Sequence, residues 1–141
     1  MMSDQRALLD TGFLYAVFDA DDQHHAQAVK MVADWRGEML LPTAVLVELA
    51  YLLQSRLGHP TMRHIMLRLM QQSLYMVSIT PPDLLRINNL LTQYADAELD
   101  FVDATIVTLA ERYQVKHILT VDRRDFPIIR PHHCDYFEIL P

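Results

Sequence analysis

Four acidic side chains, far apart along the chain, occupy positions where an acid can do chemistry. Asp10 ends the apolar run Ala7-Leu8-Leu9 and leads through Thr11-Gly12 into a second apolar run, Phe13-Leu14-Tyr15-Ala16. Asp122 follows the segment His117-Ile118-Leu119-Thr120. Asp103 falls in the first turn of a helix predicted over Asp100 to Tyr113. Glu48 lies one helical turn after Val45 and one before Leu52, on or beside the buried stripe of its helix. Each acid also has a purely structural reading. Aspartate caps helices and favours turns. Asp100 and Asp103 have the spacing of a capping box, with Asp103 in place of the usual Glu. Glu48 on a core stripe could be neutralised by an arginine.

Taken together, the four say more. Asp10 and Asp122 end strands, and ligands of open α/β sheets bind outside the carboxyl ends of the strands. Helix openings such as that of Asp103 lie at the same edge, and Glu48, early in its helix, can reach it. Two carboxylates about 4 Å apart repel by roughly 4 kcal/mol at an effective dielectric near 20. A cluster of four therefore calls for cations. Oxygen ligands without Cys or His select Mg²⁺ or Mn²⁺. Such an ion polarises a phosphoryl oxygen and lowers the pKa of a bound water. Thr11 and Thr120, each beside a strand end, are placed to orient ligands or water through their hydroxyls. Arg123 and Arg124 adjoin Asp122 and could hold substrate phosphates; alternatively one of them pairs with Asp125 in a solvated turn.

The elements that must position these residues follow from apolar periodicity. Strands are predicted at Ala7–Leu9, Met39–Leu41, Leu74–Val77, His117–Thr120 and Tyr136–Leu140. Helices are predicted from Gly12 to Phe18, Gln23 to Trp35, Thr43 to about Leu57, Thr61 onward, Pro81 onward and Asp100 to Tyr113. Thr43 is expected to cap its helix. The expected inward residues are Met62, Ile65, Met66 and Leu69 in the fourth helix, and Leu84, Ile87, Leu91 and Tyr94 in the fifth. Strands alternating with helices mean an α/β fold, a parallel sheet with helices on both faces. No repeat or linker interrupts residues 1–141, so a single domain is expected.

The chain has 141 residues, 51% of them hydrophobic, which suits one domain with a proper core. Cys134 is the lone cysteine, so no internal disulfide forms and a reducing cytoplasmic location is expected. Met1 to Arg6 carries no apolar leader, and Ala44 to Leu53, interrupted by Glu48, is too short to span a bilayer. The net charge of −6 argues against a general nucleic-acid coat but leaves room for a nuclease whose acids lie in a metal site.

The motifs around the four acids resemble those of the PIN-domain nucleases, and within them the VapC-like toxins of bacterial toxin–antitoxin pairs. Leu8-Leu9-Asp10-Thr11-Gly12-Phe13-Leu14-Tyr15-Ala16 is similar to the first motif and Leu41-Pro42-Thr43-Ala44-Val45-Leu46-Val47-Glu48 to the second. Leu99-Asp100-Phe101-Val102-Asp103-Ala104 is similar to the third and Leu119-Thr120-Val121-Asp122-Arg123-Arg124-Asp125-Phe126 to the fourth. The resemblance runs nearly end to end. It implies a three-layer α/β/α PIN-like fold over residues 1–141 and an acidic tetrad of Asp10, Glu48, Asp103 and Asp122. It also implies Mg²⁺- or Mn²⁺-dependent ribonuclease activity, a small antitoxin as partner and a homodimer. Asp10 and Asp103 would ligate the principal metal, Asp122 would complete the site, and Glu48 would orient the attacking water or bind a second ion. The alternative is a stand-alone PIN domain in RNA processing, or a non-catalytic RNA- or protein-binding module.

Other readings are weaker. A haloacid-dehalogenase-type phosphatase needs a second Asp two residues after the first, where this chain has Gly12. A receiver domain needs an earlier acidic pair and a partner lysine, and the lysines are Lys30 and Lys116 alone. His132-His133-Cys134 could bind a soft metal, but adjacent residues make poor tetrahedral geometry, and a plain loop is favoured. Met62, Met66, Met70 and Met76 suggest an adaptable groove for a partner helix, or else core packing or a dimer seam.

Overall fold

The computed structural model describes residues 5–141; the start of the chain, Met1 to Asp4, where no leader was expected, lies outside them. Five strands run parallel: β1 (Arg6–Leu9), β2 (Glu38–Pro42), β3 (Leu74–Val77), β4 (His117–Leu119) and β5 (Glu138–Leu140), in the order β3-β2-β1-β4-β5. The helices are α1 (Thr11–Phe18), α2 (His25–Asp34), α3 (Thr43–Leu57), α4 (His59–Met70), α5 (Pro81–Gln93) and α6 (Phe101–Tyr113). Packing unites α1 with α2 and α3, and α3 with α4, while α5 pairs with α6. That grouping is what right-handed crossovers require when β1, β2 and β3 step one way across the sheet and β4 returns to the other side of β1. The expected α/β sheet flanked by helices is therefore the observed fold.

The central strands are buried on both faces, and Ala7, Leu8, Leu9, Ile118 and Leu119 are fully enclosed. Around them the buried apolar side chains form one cluster that includes Phe13, Leu49, Leu53, Ile106 and Leu109. In α6 every residue from Asp103 to Ala110 is buried, so this helix runs through the interior rather than along its surface. Because α6 carries Asp103 at its amino end, the acid is held by a rigid, fully packed element.

Several local expectations are corrected. Thr43 does not cap α3; it is the first helical residue, Pro42 precedes it as cap, and the Thr43 hydroxyl instead meets Ser78 Oγ. Helix α4 begins at His59, not Thr61, because Pro60 is tolerated in a first turn whose N–H groups have no helical partners. In that helix Ile65 alone is buried, with Met62, Met66 and Leu69 packed partly against the core. In α5 Ile87 is buried as expected and Leu91 and Tyr94 pack partly against the core, but Asp83 and Leu90 are buried too and Leu84 is 42% exposed. Asp83 accepts the Thr80 N–H in a capping box and also lies 3.4 Å from Arg112, which satisfies the buried carboxylate. The last crossover, from β4 to β5, contains a single 3-10 turn (Phe126–Ile128) and no α-helix, and Tyr136 and Phe137 precede β5.

Phe13 has no exposure and sits just past Asp10 in α1. Phe13→Ala should cost roughly 3–5 kcal/mol of unfolding free energy in a urea titration. Leu85→Ala, at a position 71% exposed, should stay within about 0.5 kcal/mol of wild type.

Candidate active site

Asp10 is made by the register of the sheet. Its N–H donates to the Leu119 carbonyl (3.0 Å), extending the β1–β4 ladder by one step, and its backbone is still extended where it caps α1. The carboxylate is then fixed at both oxygens. Oδ1 accepts from the Thr11 N–H (2.8 Å) and Oδ2 from the Thr120 hydroxyl (2.6 Å). Thr120, with no exposure, also accepts the Asp122 N–H at 2.9 Å. One hydroxyl thus ties the end of β1 to the loop after β4. Thr120 is spent on this bridge. Thr11 is not: its Oγ1 is buried and has no hydrogen-bond partner among the described residues.

Asp103 is released from the capping role that its spacing suggested. Asp100 caps α6 by accepting the Asp103 N–H (2.8 Å), but the Asp103 carboxyl makes no return bond. It is buried among other acids with no hydrogen-bond donor among the described residues. One oxygen each from Asp103, Asp122 and Asp125 lies within 4.8 Å of the others. Burial first, and then Asp10, Asp100, Asp122 and Asp125, push the Asp103 carboxyl up to about 9. Burial pushes Asp10 up to about 6 against the two hydrogen bonds that favour its charged form, and Asp122 and Glu48 add to the rise. Asp10 and Glu48 lie outside that group of three. Asp10 is close enough to raise Asp103 and to be raised by Asp122, and Glu48, half-buried on α3, raises Asp10 in turn. Glu48 has no ion pair or hydrogen bond among the described residues, so the arginine partner considered for it is absent there.

Asp122 is half-buried, and its Oδ1 accepts the N–H groups of Arg124 (2.7 Å) and Asp125 (3.2 Å), closing a tight turn. Arg124 Nε donates to Asp125 Oδ1 at 3.2 Å, and Arg123 reaches the Ile139 carbonyl at 3.4 Å. Of the two readings of this basic pair, the turn pairing with Asp125 is the one seen. Asp125 is the residue that sequence reasoning undervalued. It is 7% exposed and its carboxylate lies within 4.8 Å of those of Asp103 and Asp122, yet only its place two residues past Arg123 in a polar turn could have flagged it.

The remaining candidates resolve into structure. His133 Nε2 lies 2.7 Å from the Val115 carbonyl oxygen and Cys134 Sγ bonds the Tyr136 carbonyl oxygen, so this loop is organised by backbone contacts. Arg56 and Arg68 cover the rings of Tyr15 and Phe18. Met66, Met70 and Met76 line an apolar cavity of about 370 Å³ with Leu41, Leu46, Leu69 and Leu74.

The donor set fits a hard divalent ion. It is oxygen only, its buried members repel one another, and Arg124 is the one basic side chain paired with it among the described residues.

Residues 7–130 match the family model described as PIN domain. A curated relative, Ribonuclease VapC26 of Mycobacterium tuberculosis, is 28% identical over 134 residues, covering 95% of this chain and 99% of its own length. Among solved structures, Mycobacterium tuberculosis VapC20, described as a sarcin-ricin loop cleaving toxin, superposes with a TM-score of 0.78 at 22% identity, over 84% of this chain and 91% of that one. A toxin–antitoxin complex from Klebsiella pneumoniae contains a chain that superposes with a TM-score of 0.66 at 20% identity, over 87% and 92%.

The raised carboxyls make a signed prediction. The folded chain holds protons that the unfolded chain releases near 3.8, so stability is full below that pH and is lost as pH rises through about 6 for Asp10 and about 9 for Asp103. The metal-free protein should lose on the order of 3 kcal/mol through Asp10 alone, read as a melting temperature that falls by several degrees between pH 4 and pH 8. Asp103→Asn should flatten the part of the curve that lies above pH 7.

Proposed function

The chain belongs to the PIN-domain family, and from that membership we propose that it is a Mg²⁺- or Mn²⁺-dependent ribonuclease, the toxin of a toxin–antitoxin pair. The observation that supports the reading is a set of acids near the ends of β1 and β4 and the start of α6: Asp103 and Asp122 lie with Asp125 inside 4.8 Å, and Asp10, outside that trio, raises the Asp103 carboxyl and is itself raised by Asp122 and Glu48. The likeness to a curated VapC ribonuclease over nearly its full length supports the same activity.

In this reading Asp10 and Asp103 hold the principal ion, and Asp122 completes the site directly or through water. Bound there, the ion polarises a phosphoryl oxygen of RNA and makes an attacking water more acidic. Thr120 keeps Asp10 in one rotamer by its short hydrogen bond, so that carboxylate is oriented before anything binds. Glu48, in no ion pair among the described residues, aligns the water for in-line attack and accepts its proton, or binds a second ion. Thr11 offers its unpartnered hydroxyl beside Asp10 to water or ligand. Arg123 and Arg124, exposed at the mouth, hold the phosphate. Residues 1–141 act as a single PIN-like nuclease domain.

A small antitoxin is the proposed protein partner, supported by the solved toxin–antitoxin complex that shares the fold. A homodimer is proposed with it. No helix among the described residues is long and apolar enough to cross a membrane, and the cytoplasm is the proposed location because RNA is the substrate.

Asp103→Asn is the deciding variant. Cleavage of an RNA in Mn²⁺ should fall at least a hundredfold, circular dichroism should be unchanged, and metal-free stability should equal or exceed wild type, because the amide needs no proton to be tolerated beside the other acids. Chelation with EDTA should abolish wild-type cleavage. A wild-type protein that binds RNA but cuts none in Mn²⁺ would instead be a non-catalytic module, and an unfolded variant would make Asp103 a structural residue.

A further inference from the structure

The proposed mechanism leaves Asp125 without a task and gives Arg124 one that its contacts oppose. Asp125 is buried, and an oxygen of its carboxylate lies within 4.8 Å of oxygens from Asp103 and Asp122. Arg124 should be free if it is to grip a phosphate, yet its Nε is committed to Asp125 Oδ1 at 3.2 Å. No other side chain among the described residues engages the Asp125 carboxylate.

Two further facts make this pair separable. The backbone of the turn is held independently, because Asp122 Oδ1 accepts both the Arg124 and the Asp125 N–H groups. The Arg124 side chain is 78% exposed, whereas that of Asp125 is 10% exposed. The guanidinium can therefore swing into solvent without opening the core or deforming the turn, while the carboxylate stays fixed against Asp103 and Asp122.

We infer that Asp125 is a fifth carboxylate of the metal site and that Arg124 is its internal counter-ion, displaced when a divalent cation binds. This rests on the metal-centre reading above. A pair whose guanidinium is this exposed is weak, since solvent screens that partner and ordering the long side chain opposes it. A divalent ion shared by several buried carboxylates outcompetes it, and two cations on one small carboxylate repel each other. Once displaced, Arg124 presents its planar fork of N–H donors at the mouth of the site, where a phosphate can take two of them. Metal loading thus uncovers the group that receives the RNA backbone, and before loading that group is masked.

The test is a calorimetric titration of the full chain with Mn²⁺, without RNA. Arg124→Gln, a change at an exposed side chain, should tighten Mn²⁺ binding about threefold, the scale of an exposed ion pair. Asp125→Asn should weaken it about tenfold. In the Asp125→Asn background, Arg124→Gln should have no effect, because the two act through one contact. Equal tightening in both backgrounds would show a general charge effect and overturn the inference, as would an Arg124→Gln protein that binds Mn²⁺ no more tightly than wild type. Should Asp125→Asn fail to fold, Arg123→Gln is the charge control, because Arg123 does not contact Asp125: Arg124→Gln must tighten Mn²⁺ binding more than Arg123→Gln does, and equal tightening overturns the inference. A wild type that binds Mn²⁺ and loses it on Asp103→Asn, with no response to Arg124→Gln, leaves the metal centre standing and removes this inference alone; a wild type that binds no Mn²⁺ removes both.

Discussion

Carboxylates buried side by side repel, and a chain that gathers several of them must offset that repulsion with protons, hydrogen bonds or a cation. At the 4.8 Å spacing found here each charged pair contributes roughly 3 kcal/mol of repulsion at an effective dielectric near 20, a large fraction of what holds a small domain together. Hydrogen bonding is given to some members and withheld from others. Asp10 receives two donors and Asp122 two, while Asp103 receives none and its carboxyl is driven furthest from its ordinary range. The acid with the least internal help is also seated on the most thoroughly buried helix.

Parallel topology makes the convergence possible. With β1 at the centre of the sheet and β4 beside it, the ends of both strands lie side by side, and the Thr120 hydroxyl can reach across from one to the other. That contact doubles as the support for the Asp122 turn. Gly12 belongs to the same arrangement. A Cβ there would come within 3.1 Å of Val121 Cγ2, so the small residue lets the start of α1 approach the turn that carries Asp122. The site is thus stiffened from both sides before any ligand arrives, which is what a reaction dependent on positioning needs.

Much of this was legible from the chain itself. Apolar runs ending in Asp10 and near Asp122 mark strand ends, and the spacing of Val45, Glu48 and Leu52 marks an acid on the inner side of a helix. What could not be read was where short polar groups point. Thr120 reads equally well as a ligand for substrate or as a clamp on Asp10, because sequence spacing does not orient a hydroxyl. Asp100 and Asp103 share the spacing of a reciprocal cap, yet only Asp100 serves, since Asp103 faces the acids. Leu84 reads as inward by periodicity, but the buried stripe of α5 runs through Asp83, Ile87 and Leu90 and leaves Leu84 42% exposed. Asp125 sits in a run of polar residues that looks solvated, and its burial depends on how the long β4–β5 connection folds back over the sheet edge.

If these carboxylates form one centre for a hard divalent ion, crystals soaked in Mn²⁺ should show an anomalous peak at the manganese edge within bonding distance, about 2.2 Å, of oxygens from both Asp10 and Asp103. Crystals diffracting well with no such peak, or with an arginine side chain lying among the acids in its place, would show that they form no such centre.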